Sequence, residues 1–458
     1  MKLPLMNVHL VSTYELGHQP FGLASPAAWI AGRGHQVTCA DLFVESLDAN
    51  AVREADLVAF YLPMHTATRL AAKVIEKVRK LNPAAHVCCY GLYAPLNESY
   101  LRSLGARTVL GGEFEPGLMS LLDRLGSRST SQTEPMISLD RLQFRVPLRS
   151  GLPPIEKYAR LRTDGGAKRA GYTEASRGCK HLCRHCPVVP VYQGNFRVVQ
   201  AEVVLADIRQ QVAAGAQHIS FGDPDFFNGP THAMRIVDGL HREWPGVSYD
   251  ATIKIEHLLK HRDLLPRLCE TGCLFVTSAV ESIDDAVLAK LDKGHTRADF
   301  VEVVREFRSA GLTLAPTFIP FTPWTTRDSY RELLALLLEL DLVDHVAPVQ
   351  LALRLLIPRG SRMLELADVQ AVIREFDEPA LLHRWQHADP EVDALAAQAL
   401  RMAASQGSRR EIFGHLWNLV NDRPLPDEFH LSPPAAIPYM DEPWFCCAEP
   451  TEEQVARV

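Results

Sequence analysis

Three cysteines lie close together near the middle of the chain. Cys179, Cys183 and Cys186 have a Cx3Cx2C spacing in a segment that ends at Pro187. A short loop with this spacing can give one thiolate to each of three irons of a [4Fe–4S] cluster and leave the fourth iron open. Structural zinc, with neighbouring histidines as ligands, is the alternative, but such sites usually bring a second ligand pair and none is nearby. The spacing therefore favours a cluster with an open metal position.

A second pair of thiols lies near the end of the sequence. Cys446 and Cys447 are adjacent, follow Trp444 and Phe445, and precede Pro450. Core packing does not explain two neighbouring thiols in a Pro-rich tail. We expect this tail to fold over the barrel mouth and to offer soft ligands to a thiophilic substrate. Five other cysteines are expected to be small buried hydrophobes: Cys39, Cys88, Cys89, Cys269 and Cys273.

Composition limits the class of protein. The chain has 458 residues and a net charge of −7, which argues against a general nucleic-acid-binding surface. Its longest apolar stretch, Leu333–Leu340, is far too short to span a membrane. No secretory signal opens the sequence, so we expect a cytoplasmic protein without nucleic-acid or membrane partners and without a disulfide framework.

Alternating strand and helix patterns divide the chain. Residues 1–126 are predicted to form a Rossmann-like α/β domain with a parallel sheet, and residues 127–168 a linker or covering segment. Residues 169–365 contain six β/α units, which predict a partial (β/α)6 barrel whose chemistry lies at the C-terminal ends of its strands. Residues 366–458 are predicted to be mostly helical, with an extended end. The predicted barrel strands are Tyr172–Ala175, His218–Gly222, Ser248–Lys254, Leu274–Val280, Leu312–Ile319 and Val346–Leu356.

The cysteine motif and the six units that follow it resemble the radical-SAM superfamily over about residues 170–360. The resemblance implies that the open iron chelates S-adenosylmethionine (SAM) and that one electron splits a C–S bond of its sulfonium. It also implies SAM-binding roles at the strand ends. The candidate SAM contacts are His185 for adenine, Asp223 and Asp225 for the amine, Lys254 for the carboxylate, and Ser278 and Glu281 for the ribose.

The N-terminal segment resembles the cobalamin-binding-type domain that precedes the barrel in many of these enzymes. Many cobalamin proteins supply a lower ligand from an Asp-x-His-x-x-Gly segment, and residues 1–130 contain none. Related enzymes bind cobalamin without this histidine, so cobalamin is possible, but a cofactor-free domain is favoured.

The Cys-Cys-Ala-Glu-Pro ending resembles a small radical-SAM family linked to arsinothricin biosynthesis. This resemblance implies transfer of the 3-amino-3-carboxypropyl group of SAM to arsenite held by Cys446 and Cys447, with an electron donor such as flavodoxin or ferredoxin. Two alternatives stay open. One is a 5′-deoxyadenosyl-radical or cobalamin-dependent methyltransferase acting on an organic substrate, and the other is a thiol-based arsenic-binding protein.

Overall fold

A computed structural model describes residues 4–127, 134–431, 434–442 and 449–457. The N-terminal region folds as the sequence predicts, into a parallel sheet with helices on both faces. Its strands are β1 Asn7–Ser12, β2 Gln36–Asp41, β3 Leu57–Tyr61, β4 His86–Tyr90, β5 Thr108–Gly112 and β6 Ile137–Ser138. Its helices are α1 Phe21–Ala31, α2 Ala49–Glu54, α3 His65–Leu81, α4 Tyr93–Leu96, α5 Glu98–Ser103 and α6 Glu115–Ser127.

The strand order of this sheet is β2-β1-β3-β4-β5-β6. The central strands are nearly continuous apolar runs because helices cover both of their faces. Strand β6 pairs with β5, so the predicted linker contributes a strand to the N-terminal sheet. The chain crosses from β1 to β2 on one side and then from β2 back to β3 on the other side of β1. The carboxyl ends of β1 and β3 therefore form the switch point of the sheet.

The second region is a half-barrel. Its strands are β7 Arg160–Thr163, β8 Gly166–Thr173, β9 Ser176–Gly178, β10 Phe196–Val198, β11 His218–Phe221, β12 Ser248–Thr252, β13 Cys273–Glu281 and β14 Thr313–Phe318. Its helices are α7 Val189–Tyr192, α8 Ala201–Ala213, α9 Pro230–Glu243, α10 Ile255–Lys260, α11 Leu265–Glu270, α12 Asp285–Leu291, α13 Arg297–Ala310 and α14 Arg327–Glu339. Short 3-10 helices occupy Ile155–Lys157, Phe226–Asn228, Arg262–Leu264, Val343–His345, Pro348–Leu351 and Arg362–Glu365.

The main sheet of the half-barrel has the order β14-β13-β12-β11-β8-β7-β17. Strands β8 and β11–β14 are parallel, and one face of this sheet packs against the helices. Leu314 and Phe318 on β14 are buried on that face, and the Phe318 ring lies 6.0 Å from Phe300 of α13. The alternate residues Thr313, Ala315 and Thr317 are only half-buried on the opposite, concave face.

One sequence expectation about the barrel is wrong. The predicted strand Val346–Leu356 forms 3-10 turns, and only an isolated bridge from Phe321 to Arg354 continues the barrel. The C-terminal region is helical as predicted, and it also contains an antiparallel hairpin. The C-terminal elements are α15 Ala367–Gln370, β15 Ile373–Asp377, β16 Leu382–Trp385, α16 Pro390–Ala403, α17 Arg409–Val420, α18 Asp427–Leu431, β17 Tyr439–Met440 and α19 Glu452–Arg457.

The last strand, β17, pairs antiparallel with β7 at the edge of the barrel sheet. Among the helices of the described ranges, none combines the length and the hydropathy that a membrane crossing requires.

Candidate active site

The cluster loop leaves the carboxyl end of β8 and passes through β9 before it reaches the cysteines. Cys179 and Cys183 are buried and Cys186 is half-buried. Gly178 enters the loop with φ +74°, and a Cβ there would lie 2.6 Å from the carbonyl oxygen of Asn195. Only glycine tolerates both this backbone conformation and this contact. Gly178 therefore sets the path of the backbone from β9 into the loop that carries the three cysteines.

Two polar side chains approach the thiols. Asn228 lies 3.7 Å from the sulfur of Cys179 through its Oδ1, which also accepts from the backbone N–H of Lys180 at 3.2 Å. The Nζ atom of Lys254 lies 3.7 Å from the sulfur of Cys183. Lys254 is buried, so its interaction with an anion beside the thiolates would be only weakly screened by solvent. Sequence reasoning missed Asn228, because no motif marks a residue three positions after Asp225.

The donor set fits an iron–sulfur cluster better than zinc. Both histidines of the loop are engaged away from the thiols: His181 Nε2 lies 3.2 Å from His257 Nε2, and His185 Nε2 lies 3.2 Å from Glu281 Oε1. Three soft thiolates without a histidine partner match a cluster with one open iron. When bound, such a cluster supplies the electron that cleaves the sulfonium of SAM.

Glu281 ends β13 in an unusual conformation. Its φ is +68°, and the pairing register with β14 shifts between Ala279 and Glu281. Such strain in a non-glycine residue is typical of functional positions. Its carboxylate lies 3.3 Å from Lys293 Nζ and 3.2 Å from His185. Burial acts to raise the pKa of Glu281, but the Lys293 ammonium and His185 outweigh it and lower the pKa to about 2. Glu281 is therefore an ionised hydrogen-bond acceptor, and its contact with the SAM ribose stays a prediction.

The two candidate amine ligands are hydrogen-bonded within the chain. Asp223 accepts from Ser176 Oγ at 2.5 Å and from the Ala175 N–H at 2.9 Å, and its burial raises its pKa to about 7. Asp225 accepts from the Phe227 N–H at 3.2 Å, and its Oδ2 lies 2.6 Å from His257 Nδ1. Both carboxylates thus fasten the end of β11 to neighbouring elements of the site. Their contact with SAM stays a prediction.

The remaining predicted residues divide into two groups. Ser278 is fully buried and donates to the Ile253 carbonyl at 2.7 Å, so its hydroxyl braces β13 against β12. Its role toward SAM, like the roles of His185 and Lys254, stays a prediction. Cys446 and Cys447 lie outside the described residues.

A charged network joins the cluster strand to the N-terminal domain. The guanidinium of Arg177 contacts Glu115 at 2.8 Å, Glu174 at 2.7 Å and Glu113 at 3.4 Å, and all four side chains are nearly or fully buried. The ring of Phe114 lies 4.8 Å from the same guanidinium. Sequence reasoning missed this network because Glu115 and Glu113 are 62 and 64 residues away from Arg177 in the sequence. It fixes the position of the cluster strand relative to the N-terminal sheet.

Comparisons with known proteins agree with this architecture. Residues 173–337 match the family model of the Radical SAM superfamily. The chain is 26% identical to hopanoid C-3 methylase of Methylococcus capsulatus over 325 residues, which cover 67% of this chain and 62% of that protein. It is 29% identical to the ribosomal protein uS12 methylthiotransferase RimO of Syntrophotalea carbinolica over 174 residues, 36% of this chain and 38% of that one.

Two solved structures share the fold over most of the chain. The radical SAM methyltransferase TsrM of Kitasatospora setae, with tryptophan and a SAM analogue bound, has a TM-score of 0.68 at 16% identity, over 87% of this chain and 89% of that chain. OxsB, a cobalamin-dependent SAM radical enzyme, has a TM-score of 0.65 at 14% identity, over 87% and 66% of the two chains.

The chain therefore contains a radical SAM domain. The family model confirms the radical SAM domain that the cysteine motif predicts, over residues 173–337. The α/β fold, with an N-terminal Rossmann-like domain before a radical SAM half-barrel and helical C-terminal regions, is confirmed as well. The chain spans less than two thirds of the two curated relatives given above.

Proposed function

We propose that this chain is a radical SAM enzyme that transfers a carbon group of SAM to a small-molecule acceptor. The observation that carries the proposal is that two strand-end residues approach the cluster loop: Lys254 lies 3.7 Å from the Cys183 sulfur, and Glu281 lies 3.2 Å from His185. Lys254 would hold the SAM carboxylate and Glu281 the ribose. These contacts orient the sulfonium, and the orientation decides which C–S bond breaks.

The leading candidate is methyl transfer to an organic substrate. It is supported by the names of the relatives, which include a hopanoid methylase and the methyltransferase TsrM. It is the better supported of our two enzyme hypotheses, because the comparisons favour methyl transfer and give no support for arsenic chemistry.

The concave face of the barrel sheet supports a small acceptor. Thr252 and Ala279 on this face are half-buried, like Thr317 and Ala315, whereas the residues between them on β13 and β14 are mostly buried. An accessible inner wall that carries hydroxyl groups fits a small polar molecule.

Transfer of the 3-amino-3-carboxypropyl group to arsenite, giving hydroxyarsinothricin, is the second candidate. One observation favours it. The described residues on both sides of the Cys446–Cys447 pair contact the N-terminal domain: Tyr14 donates to Glu442 at 2.8 Å, and Arg69 donates to Glu449 at 2.6 Å. A chain fastened on both sides of the pair fits a tail that takes part in the site.

The products of SAM distinguish the candidates. We would reconstitute the cluster anaerobically and add SAM and reductant, with and without arsenite; flavodoxin or ferredoxin is the proposed natural donor. S-adenosylhomocysteine or 5′-deoxyadenosine would support methyl transfer or a 5′-deoxyadenosyl radical. Arsenite-dependent methylthioadenosine and an alkylated arsenical would support the second candidate. A thiol-based arsenic-binding protein would turn over no SAM, and it would still bind arsenite in the Cys183→Ser variant. This result would refute both enzyme candidates.

A further inference from the structure

The carboxyl edge of the N-terminal sheet is where an open α/β domain binds its ligand, at the switch point between β1 and β3. In a cobalamin-binding domain this edge must leave an open layer for the flat corrin ring. The described residues therefore test whether this chain fits that cofactor. Three groups of contacts cover the edge.

The loop after β1 touches the barrel directly. A Cβ added to Gly17 would lie 2.9 Å from the Cβ of Ala159. The His18 ring stacks on Tyr172 of β8, with centroids 4.7 Å apart. Gln19 donates to the Pro153 carbonyl at 2.9 Å and is buried. Side chains of the two regions are thus in van der Waals contact at this strand end.

The ends of β4 and β5 also pack against the barrel. Leu92 and Leu96, in and beside α4, belong to one apolar cluster with Cys179 and Tyr192 of the cluster segment. The Tyr192 hydroxyl donates to Glu113, which follows β5, at 3.1 Å. The cluster loop therefore rests on the N-terminal domain itself, without an intervening layer at this point.

The end of β3 is covered by the C-terminal clasp, which we define as residues 439–442 and 449–457. Glu449 lies 3.3 Å from His65 and pairs with Arg69 at the start of α3. Val455 packs on an apolar cluster that includes Tyr14 and Met64. The clasp spans both regions, because its β17 strand pairs with β7 of the barrel.

We propose that the N-terminal domain takes no cobalamin, and that its ligand crevice instead holds the chain's own C-terminal clasp. The described contacts at the ends of β1, β3, β4 and β5 leave no layer for a corrin. The domain then serves as a support for the clasp and for the cluster loop. This inference removes the cobalamin-dependent form of methyl transfer and leaves the other candidates open.

Corrin retention tests the inference on the full-length protein. Reconstituted protein would be incubated anaerobically with hydroxocobalamin and desalted, and the retained corrin measured by its absorbance beside the iron content. We expect iron without corrin. Stoichiometric corrin retained by the wild type would overturn the proposal, whatever products SAM gives.

A matched pair of variants tests the clasp. Val455→Asp places a charge in the apolar contact, whereas Ala456→Asp changes an exposed neighbour. We expect amide hydrogen exchange over residues 62–70 to become about tenfold faster in V455D and to stay unchanged in A456D, because only V455D opens the clasp. Equal exchange in V455D and the wild type would show that the clasp does not hold this edge. Corrin binding gained only in V455D would add direct evidence that the clasp occupies the crevice.

Discussion

Removing the guanidinium of Arg177 should destabilise the protein in a way that depends on pH. Arg177 is buried with Glu113, Glu115 and Glu174, so Arg177→Met leaves three buried carboxyl groups without their cation. Breaking a buried ion network from one side costs about 3–5 kcal/mol, because the remaining charges are left uncompensated.

The pH dependence follows from the pKa of Glu113. Burial raises it from 4.5 to about 7 even with Arg177 in place. In this range the folded state binds more protons than the unfolded state, so the contribution of Glu113 to stability is full below pH 4.5 and is lost as pH rises through 7. A shift of this size corresponds to roughly 3 kcal/mol. Without Arg177 the pKa rises further, and the loss of stability in Arg177→Met should therefore be larger at pH 8 than at pH 6.

Urea unfolding at the two pH values measures this effect. Arg209→Met is the matched control, since Arg209 is exposed and pairs with exposed Glu243. We expect the control to lose less than about 1 kcal/mol at either pH. If Arg177→Met unfolds at the same urea concentration as Arg209→Met at pH 8, the assignment of the network as an interdomain fastener is refuted.

Three further predictions concern the active site. Cys183→Ser should lose most of its iron after reconstitution, measured by iron content and absorbance. Cys269→Ser is the control and should retain iron, because the Cys269 thiol is exposed and not buried as its sequence context suggested. Equal iron in both would contradict the cluster assignment. Lys254→Met should weaken SAM binding about tenfold to 100-fold, because a charge-assisted hydrogen bond is worth about 1.5–3 kcal/mol. Unchanged affinity in equilibrium dialysis would show that Lys254 does not contact SAM. Gly178→Ala should lower the cluster content, because an alanine there has an unfavourable φ and a Cβ that clashes with its neighbours. Gly151→Ala, where the added Cβ meets open space, should match the wild type. Equal iron content in the two variants would show that the cluster loop adapts.

Local sequence patterns predicted much of the fold. Strands β3 and β4 have the predicted bounds Leu57–Tyr61 and His86–Tyr90, because a buried parallel strand is a nearly continuous apolar run. The run Val346–Leu356 is also mainly apolar but forms 3-10 turns around Pro348, which has no N–H to donate to a neighbouring strand. Composition does not reveal which apolar run finds a neighbour to pair with.

The candidate site also combines local features, which the sequence reveals, with contacts between distant residues, which it does not. The cysteine triplet is local in sequence, so its chemistry could be predicted from spacing alone. Contacts between distant residues could not be, such as His181 with His257, 76 positions away, or Cys179 with Asn228, 49 positions away. These contacts depend on which strand ends the barrel brings together. Even Glu281, whose place was predicted, owes its low pKa to Lys293, which becomes its neighbour only through the loop after α12.

The contacts between the two regions connect the fold to the proposed chemistry. A cluster that reduces SAM needs its loop held firmly, since the orientation of the sulfonium decides which bond breaks. Here the Arg177 network fastens the strand before the loop, and Leu92 and Leu96 support the loop from the N-terminal side. The edge that a cofactor would otherwise occupy is thus used to position the cluster segment and the C-terminal clasp. An enzyme whose N-terminal edge is covered in this way should obtain its transferable group from SAM bound at the cluster. The identity of the acceptor then depends on which molecule reaches the concave face of the barrel.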